Sequence, residues 1–183
     1  EKDIWKVFKQ VEKERRKREL EPIFKVMDEV KQVKGDKKDR HQKAFTDSIN
    51  GIYNFASKYM EWPANYKDGN FIIGVLGDSP ILTELNTVTA EKNAFNQTIE
   101  TKKFNNVGEI TRCHFLFISF EQSYLLDEIS EKLKNTSTLI VTEKDGALNH
   151  GAGINFISID GKLKFETNLG IINCKGITVA PDL

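Results

Sequence analysis

The sequence predicts an α/β fold. The expected architecture is a Rossmann-like three-layer sandwich of a mixed sheet with a C-terminal β-hairpin, preceded by an N-terminal helical extension. Three observations carry this expectation. Apolar-rich runs at 71–77 (FIIGVLG), 114–120 (HFLFISF) and 138–143 (TLIVTE) have the near-continuous hydrophobicity of strands buried on both faces. Amphipathic helical stretches alternate with them, which calls for parallel strands joined by crossovers. Near the end, INFISIDGKLKFETN (154–168) sets Asp160-Gly161 between two alternating runs, a two-residue hairpin signal.

The elements follow in order. Ile4, Val7, Phe8 and Val11 recur at helical spacing, as do Leu20, Ile23, Phe24, Met27 and Val30. Pro22 suits a first helical turn, so residues 1–43 read as a basic extension of two amphipathic helices, about 3–20 and 22–34. GDKKDRHQK marks the boundary, and the α/β domain spans 46–183. It opens with a helix over 46–62, capped by Thr46 or Asp47 and stopped by Pro63. The 71–77 strand leads into a helix at DSPILTELNTV (78–88), with Asp78 or Ser79 as its cap. A more exposed strand at 98–104 precedes the strand at 114–120. SYLLDEISEKLKN (123–135) is an amphipathic helix before the strand at 138–143. The last segment, 169–183, begins like a helix and stops.

At 183 residues the chain is sized for about one domain and buries roughly 70% of its unfolded surface without needing a metal or disulfide framework. No run of about 18 apolar residues exists, so no membrane span is expected. No apolar run behind an N-terminal basic patch predicts a signal peptide in these residues, and the start at Glu1 is expected to be that of a mature or trimmed chain. The two cysteines, Cys113 and Cys174, exclude a disulfide-rich scaffold and a four-cysteine zinc site. The formal net charge of zero hides a split: residues 1–43 carry a net +5 and the remainder a net −5. The basic segment is read as a solvated helical face or a docking helix for a partner or an anionic surface. Glutamates interrupt its run EKERRKRE, and the aromatic signatures of RNA modules are missing, so no nucleic-acid partner is expected.

Catalytic chemistry is thin. GVLGDSP (74–80) is a strand-to-helix turn with neither the dinucleotide nor the P-loop spacing, which leaves Gly77, Asp78 and Ser79 as structural residues or contacts for a small ligand. His150, Gly151 and Gly153 form a second glycine-rich loop, read either as a turn of close approach or as a ligand loop. The three histidines and two cysteines share no metal-ligand spacing, so no metal is expected. Cys113 and His114 are strand neighbours that point to opposite faces, which argues against a thiol–imidazole pair. Asp145, Asp160 and Glu166 lie in turns or on the hairpin, with no catalytic pairing evident. No catalytic residue and no cofactor are therefore assigned. Tyr53, Phe55, Tyr59, Trp62 and Tyr66 crowd one helix and its exit; Trp62-Pro63 is read either as a core plug or as an interface anchor.

Four segments together resemble one family. SINGIYNFASKYMEWP is similar to the aromatic-rich helix of YfiR-like proteins, FIIGVLGDSP to their first strand and turn, RCHFLFIS to their "CHVLFI" strand, and GAGINFISIDGKLKFETNL to their terminal hairpin. LIVTEKDG stands where they have "VLTVSD". The resemblance covers about 46–183 in the right order and leaves 1–43 outside.

It implies a periplasmic, non-enzymatic regulator of α/β fold. The characterised relative represses a membrane-bound diguanylate cyclase by binding its periplasmic domain, and is freed by redox change or by an outer-membrane partner. The expected partners are thus an inner-membrane protein with a periplasmic domain and an outer-membrane or envelope protein; a homodimer is also compatible. Trp62, Pro63, Tyr59, Phe24 and Met27 are the expected partner surface. Related domains fused to sensor kinases supply the alternative, an extracytoplasmic small-ligand sensing domain using Gly77, Asp78, Ser79, His150, Gly151 and Gly153. In the family the cysteine of the "CH" motif pairs with one in the first strand. That position is Gly74 here, so no disulfide is expected at Cys113. The family's final helix also continues beyond the position of Leu183.

Overall fold

A computed structural model of the protein describes residue 47, residues 49–159 and residues 162–180, all within one compact unit, Ala44–Leu183. The expected helices at 3–20 and 22–34, with Phe24 and Met27, lie outside the described residues, as does the Asp160-Gly161 hairpin tip.

Seven strands form one sheet in the order β3-β4-β2-β5-β6-β7-β8. Here β2 is Phe71–Leu76, β3 Asn93–Ala94, β4 Gln97–Phe104, β5 Phe115–Ile118, β6 Leu139–Thr142, β7 Ile154–Ile159 and β8 Lys162–Thr167. The five strands from β4 to β7 run parallel, while β3 and β8 add antiparallel edges. Counted along the chain, the parallel strands stand in the order 2-1-3-4-5, the flavodoxin-like arrangement, whose direction of winding reverses between β2 and β5.

Alternation along each strand divides the core in two. Ile73, Val75, Phe115, Phe117, Leu139, Val141, Ile154 and Phe156 pack on one face against helix α1 (residues 49–59) and helix α2 (Ile81–Thr89). Leu76, Leu116, Ile118 and Ile140 pack on the other against Leu126, Ile129 and Leu133 of helix α3 (Leu126–Leu133). The three-layer sandwich with its C-terminal hairpin is thus present.

The boundaries differ in instructive ways. The first helix ends at Tyr59 rather than at Trp62, its last turn, Phe55–Tyr59, being wound as π helix. Met60–Glu61 leave it as strand β1 and pair with β9 (Thr178–Val179), a strand the apolar pattern did not signal. Two residues are too few to show a period. The segment after β5 begins as a 3₁₀ turn, Phe120–Leu125, before α3 proper. Pro80 is the N-cap of α2, one place beyond Ser79, whose hydroxyl accepts the Ile81 N–H at 3.4 Å. The terminal helix α4 spans Leu169–Cys174; Asn168 caps it by accepting the Ile171 N–H at 3.1 Å.

Candidate functional site

In open α/β sheets ligands bind outside the carboxyl ends of the strands, where the strand order reverses. That crevice lies here beyond Leu76 of β2 and Ile118 of β5. The turn Gly77–Asp78–Ser79 closes one side. Gly77 has φ +76°, and the Gln122 side chain lies over it so closely that an added Cβ would stand 3.2 Å from Nε2. The Gly77 N–H donates to Phe104 O at 2.8 Å, and the Asp78 carboxylate pairs with Lys103. The Gly77 N–H and the Asp78 carboxylate are thus engaged within the protein, and the Gln122 side chain lies against Gly77.

The second glycine loop lies elsewhere. The Gly153 N–H donates to Ile140 O at 3.0 Å, and an added Cβ would stand 2.2 Å from Leu139, the first residue of β6. Gly153 thus stands just before β7, three strands along the sheet from β2, at whose end Gly77 lies. Gly151, at φ +94°, would bring a Cβ within 1.9 Å of Ser130 Oγ on α3. His150 sits half-exposed with Nδ1 2.8 Å from Asp127 Oδ1. The structure does not bring Gly77, Asp78 and Ser79 together with His150, Gly151 and Gly153. Both loops allow a close backbone approach that a side chain would block.

Among the aromatics, Trp62 is only 4% exposed. Its indole Nε1–H donates to Ser137 O at 2.9 Å, and its ring stands edge-on to Phe71 and Phe115 with centroids 5.1 and 5.0 Å away. With its polar atom satisfied, the ring packs in the core, so the open choice at Trp62-Pro63 falls on the core side for Trp62. Tyr59 is half-buried against Phe55, and Pro63 is half-buried at the head of the Ala64–Tyr66 turn.

Cys113 and His114 face opposite layers. Burial pushes the Cys113 thiol up to about 12, which keeps it protonated and a poor nucleophile. His114 stacks on Phe71 with centroids 4.1 Å apart. Its Nε2–H donates to Tyr66 O at 2.7 Å, and its Nδ1 accepts the Ile72 N–H at 3.0 Å. Both ring nitrogens are thus engaged in the neutral form, and burial holds the imidazole below its ordinary value. Among the described residues no three His, Cys, Asp or Glu side chains gather to hold a metal ion.

Two residues escaped the sequence reading. Phe120 is 62% exposed and Tyr124 74%, both on the 3₁₀ turn beyond β5. Phe120 looked like the last residue of a buried strand. The signal against that was Ser119, whose extended backbone sits at the N-cap of the turn and directs the chain out of the sheet. The Phe120 N–H donates to the Glu143 carboxylate at 3.3 Å, joining this turn to the segment after β6.

A five-strand parallel core with antiparallel edges, helical layers on both faces and two exposed aromatic side chains on the turn after β5 defines an α/β module. The chain belongs to the YfiR/HmsC-like family, whose model matches residues 49–183. No curated protein matches it. Among the described residues no helix is long and apolar enough to cross a membrane.

Proposed function

We propose that the protein is a non-catalytic periplasmic accessory protein that binds the periplasmic domain of an inner-membrane partner and regulates it. The partner is of the diguanylate cyclase class, and an outer-membrane or envelope protein relieves the regulation. The observation that carries this reading is the family match over 49–183. The exposed rings of Phe120 and Tyr124 support it. Two large aromatic side chains on one short turn offer rigid contact area at low entropic cost, the kind of residue that dominates protein interfaces. The buried Cys113, without a cysteine at Gly74, speaks for control by partner exchange rather than by a thiol switch at that position.

The experiment is co-expression of the exported chain with a membrane-bound diguanylate cyclase, reading cyclic di-GMP in the cell. Repression by the wild-type chain, lost on Phe120→Ala with Tyr124→Ala, is the expected result. A cyclic di-GMP level indifferent to the chain contradicts the reading.

A further inference from the structure

The two edges of the sheet differ in kind. At one, β3 is two residues long, and a strand that short gives another chain little to pair with. At the other, β8 runs for six residues, Lys162–Thr167, and pairs only with β7 among the described residues. The Asn168 N–H donates to Gly153 O at 2.9 Å, in step with the Ile154–Thr167 pairing. Main-chain groups alternate between the two sides of a strand, so Lys162, Lys164 and Glu166 turn theirs toward β7. Leu163, Phe165 and Thr167 then turn their N–H and C=O groups outward, a row of donors and acceptors along an open edge.

The side chains of this strand are open too. Lys164, Phe165 and Glu166 are all exposed, Phe165 by 45% although its ring stands edge-on to Phe55 with centroids 4.8 Å apart. Lys164 and Glu166 share the face opposite to Phe165. There Glu166 accepts the Asn155 Nδ2–H at 3.1 Å, and Lys164 has no ion-pair partner among the described residues.

We propose that β8 is a dimerisation edge, paired antiparallel with β8 of a second copy about a two-fold axis. Few registers are open to it. Outward-facing residues must meet outward-facing residues, for only then does each N–H find a C=O. Leu163 against Phe165 of the copy puts Lys164 opposite Lys164. Phe165 against Thr167 of the copy puts Glu166 opposite Glu166. Both set like charges directly across the pair. Registers centred on Leu163 or Thr167 overlap only the strand ends. Phe165 against itself pairs Leu163 with Thr167 and, on both sides of the axis, Lys164 with Glu166. Lysines on an edge ordinarily deter pairing. The glutamate two places on makes this edge complementary to its own copy, in that register. The interface is isologous and closes at two chains. It lies three strands from β5 and does not rest on the binding of another protein.

The test is sedimentation equilibrium of the full chain in low salt, from about 1 μM to 1 mM, with Lys164→Glu, Glu166→Lys and the two combined. A monomer–dimer equilibrium is expected for the wild type. Each single reversal sets like charges opposite each other on both sides of the axis and is expected to weaken dimerisation about tenfold. The double reversal restores both pairs with their signs exchanged and is expected to return within about threefold of wild type. In a Cys174→Ser background, Phe165→Cys is expected to form a disulfide-linked dimer faster than Lys164→Cys or Glu166→Cys. Position 165 alone meets its own copy across the axis, at a Cα separation of about 5.5 Å. A wild-type chain monomeric throughout the range, a dimer indifferent to the single reversals, a double reversal as weak as the singles, or faster crosslinking at 164 or 166 would each overturn the proposal.

Discussion

Gly74 and Cys113 face each other so closely that a Cβ on the glycine would stand 3.3 Å from the cysteine sulfur. The first-strand position at which the family resemblance places the partner cysteine is thus adjacent to Cys113 in space, although the two residues sit 39 places apart. Gly74→Cys tests this directly. The same Cβ would meet Phe104 at 2.6 Å and Leu116 at 3.2 Å, so the reduced variant is overpacked, by about 1–3 kcal/mol. Oxidation to a bond with Cys113 adds about 2–4 kcal/mol. Thermal melts with and without reductant are expected to separate for the variant and to coincide for the wild type, whose two cysteines are free. Coincident melts for the variant would show that the pair is not so placed.

His114 makes stability depend on pH. Its folded value lies below the ordinary one because burial disfavours the imidazolium; the Arg112 charge acts in the same direction. Protonation would also cost the bond that Nδ1 accepts from the Ile72 N–H. Below about pH 6.5 the unfolded chain therefore takes up the proton first. The contribution is full above that value and falls as pH drops toward the folded value, by up to about 1.4 kcal/mol per pH unit. Urea melts between pH 7.5 and 5.5 check this. The wild type is expected to lose stability across the window, and His114→Gln to show a flatter dependence from a lower starting point. Equal slopes would remove His114 as the cause.

The loop at His150–Gly153 separates a structural role from a chemical one. A Cβ at Gly153 would lie 2.2 Å from Leu139 Cδ1, and Leu139 is fully buried. Gly153→Ala is therefore expected to cost about 1–3 kcal/mol in a urea melt. Gly151→Ala is expected to cost at least as much, because its φ of +94° adds backbone strain to the Ser130 clash. His150→Ala removes only an exposed pair with Asp127 and is expected to stay within about 1 kcal/mol of wild type. A large loss at His150 with none at Gly153 would reverse this assignment.

The parallel core and the hairpin were legible because strands buried on both faces must be apolar at nearly every position, as 71–76 and 115–118 are. Their order in the sheet was not, because nothing local tells β4 to cross to the far side of β2. The short strands β1, β3 and β9 were also invisible, since two residues carry no period. At the candidate site, residue type misled more than pattern did. Trp62 read equally as a core plug or a surface anchor, and the Ser137 carbonyl, by satisfying its N–H, lets it sink into the core. Phe120 looked fit for the core, yet the turn that starts after Ser119 carries it into solvent. Gly77 and Gly153 both advertised backbone freedom, but only tertiary structure sets them on strands three places apart in the sheet.

The proposed function has the protein act by binding, through the aromatic turn beyond β5. The most direct measurement is the affinity of the full chain for the isolated periplasmic domain of a membrane diguanylate cyclase, in wild type and in the double variant Phe120→Ala with Tyr124→Ala. Both side chains are exposed, so the double variant is expected to melt within about 1 kcal/mol of wild type. Its binding is expected to weaken by about 30-fold or more, as truncation of interface hot spots does. Wild-type binding that the double variant reproduces at equal affinity would contradict the account.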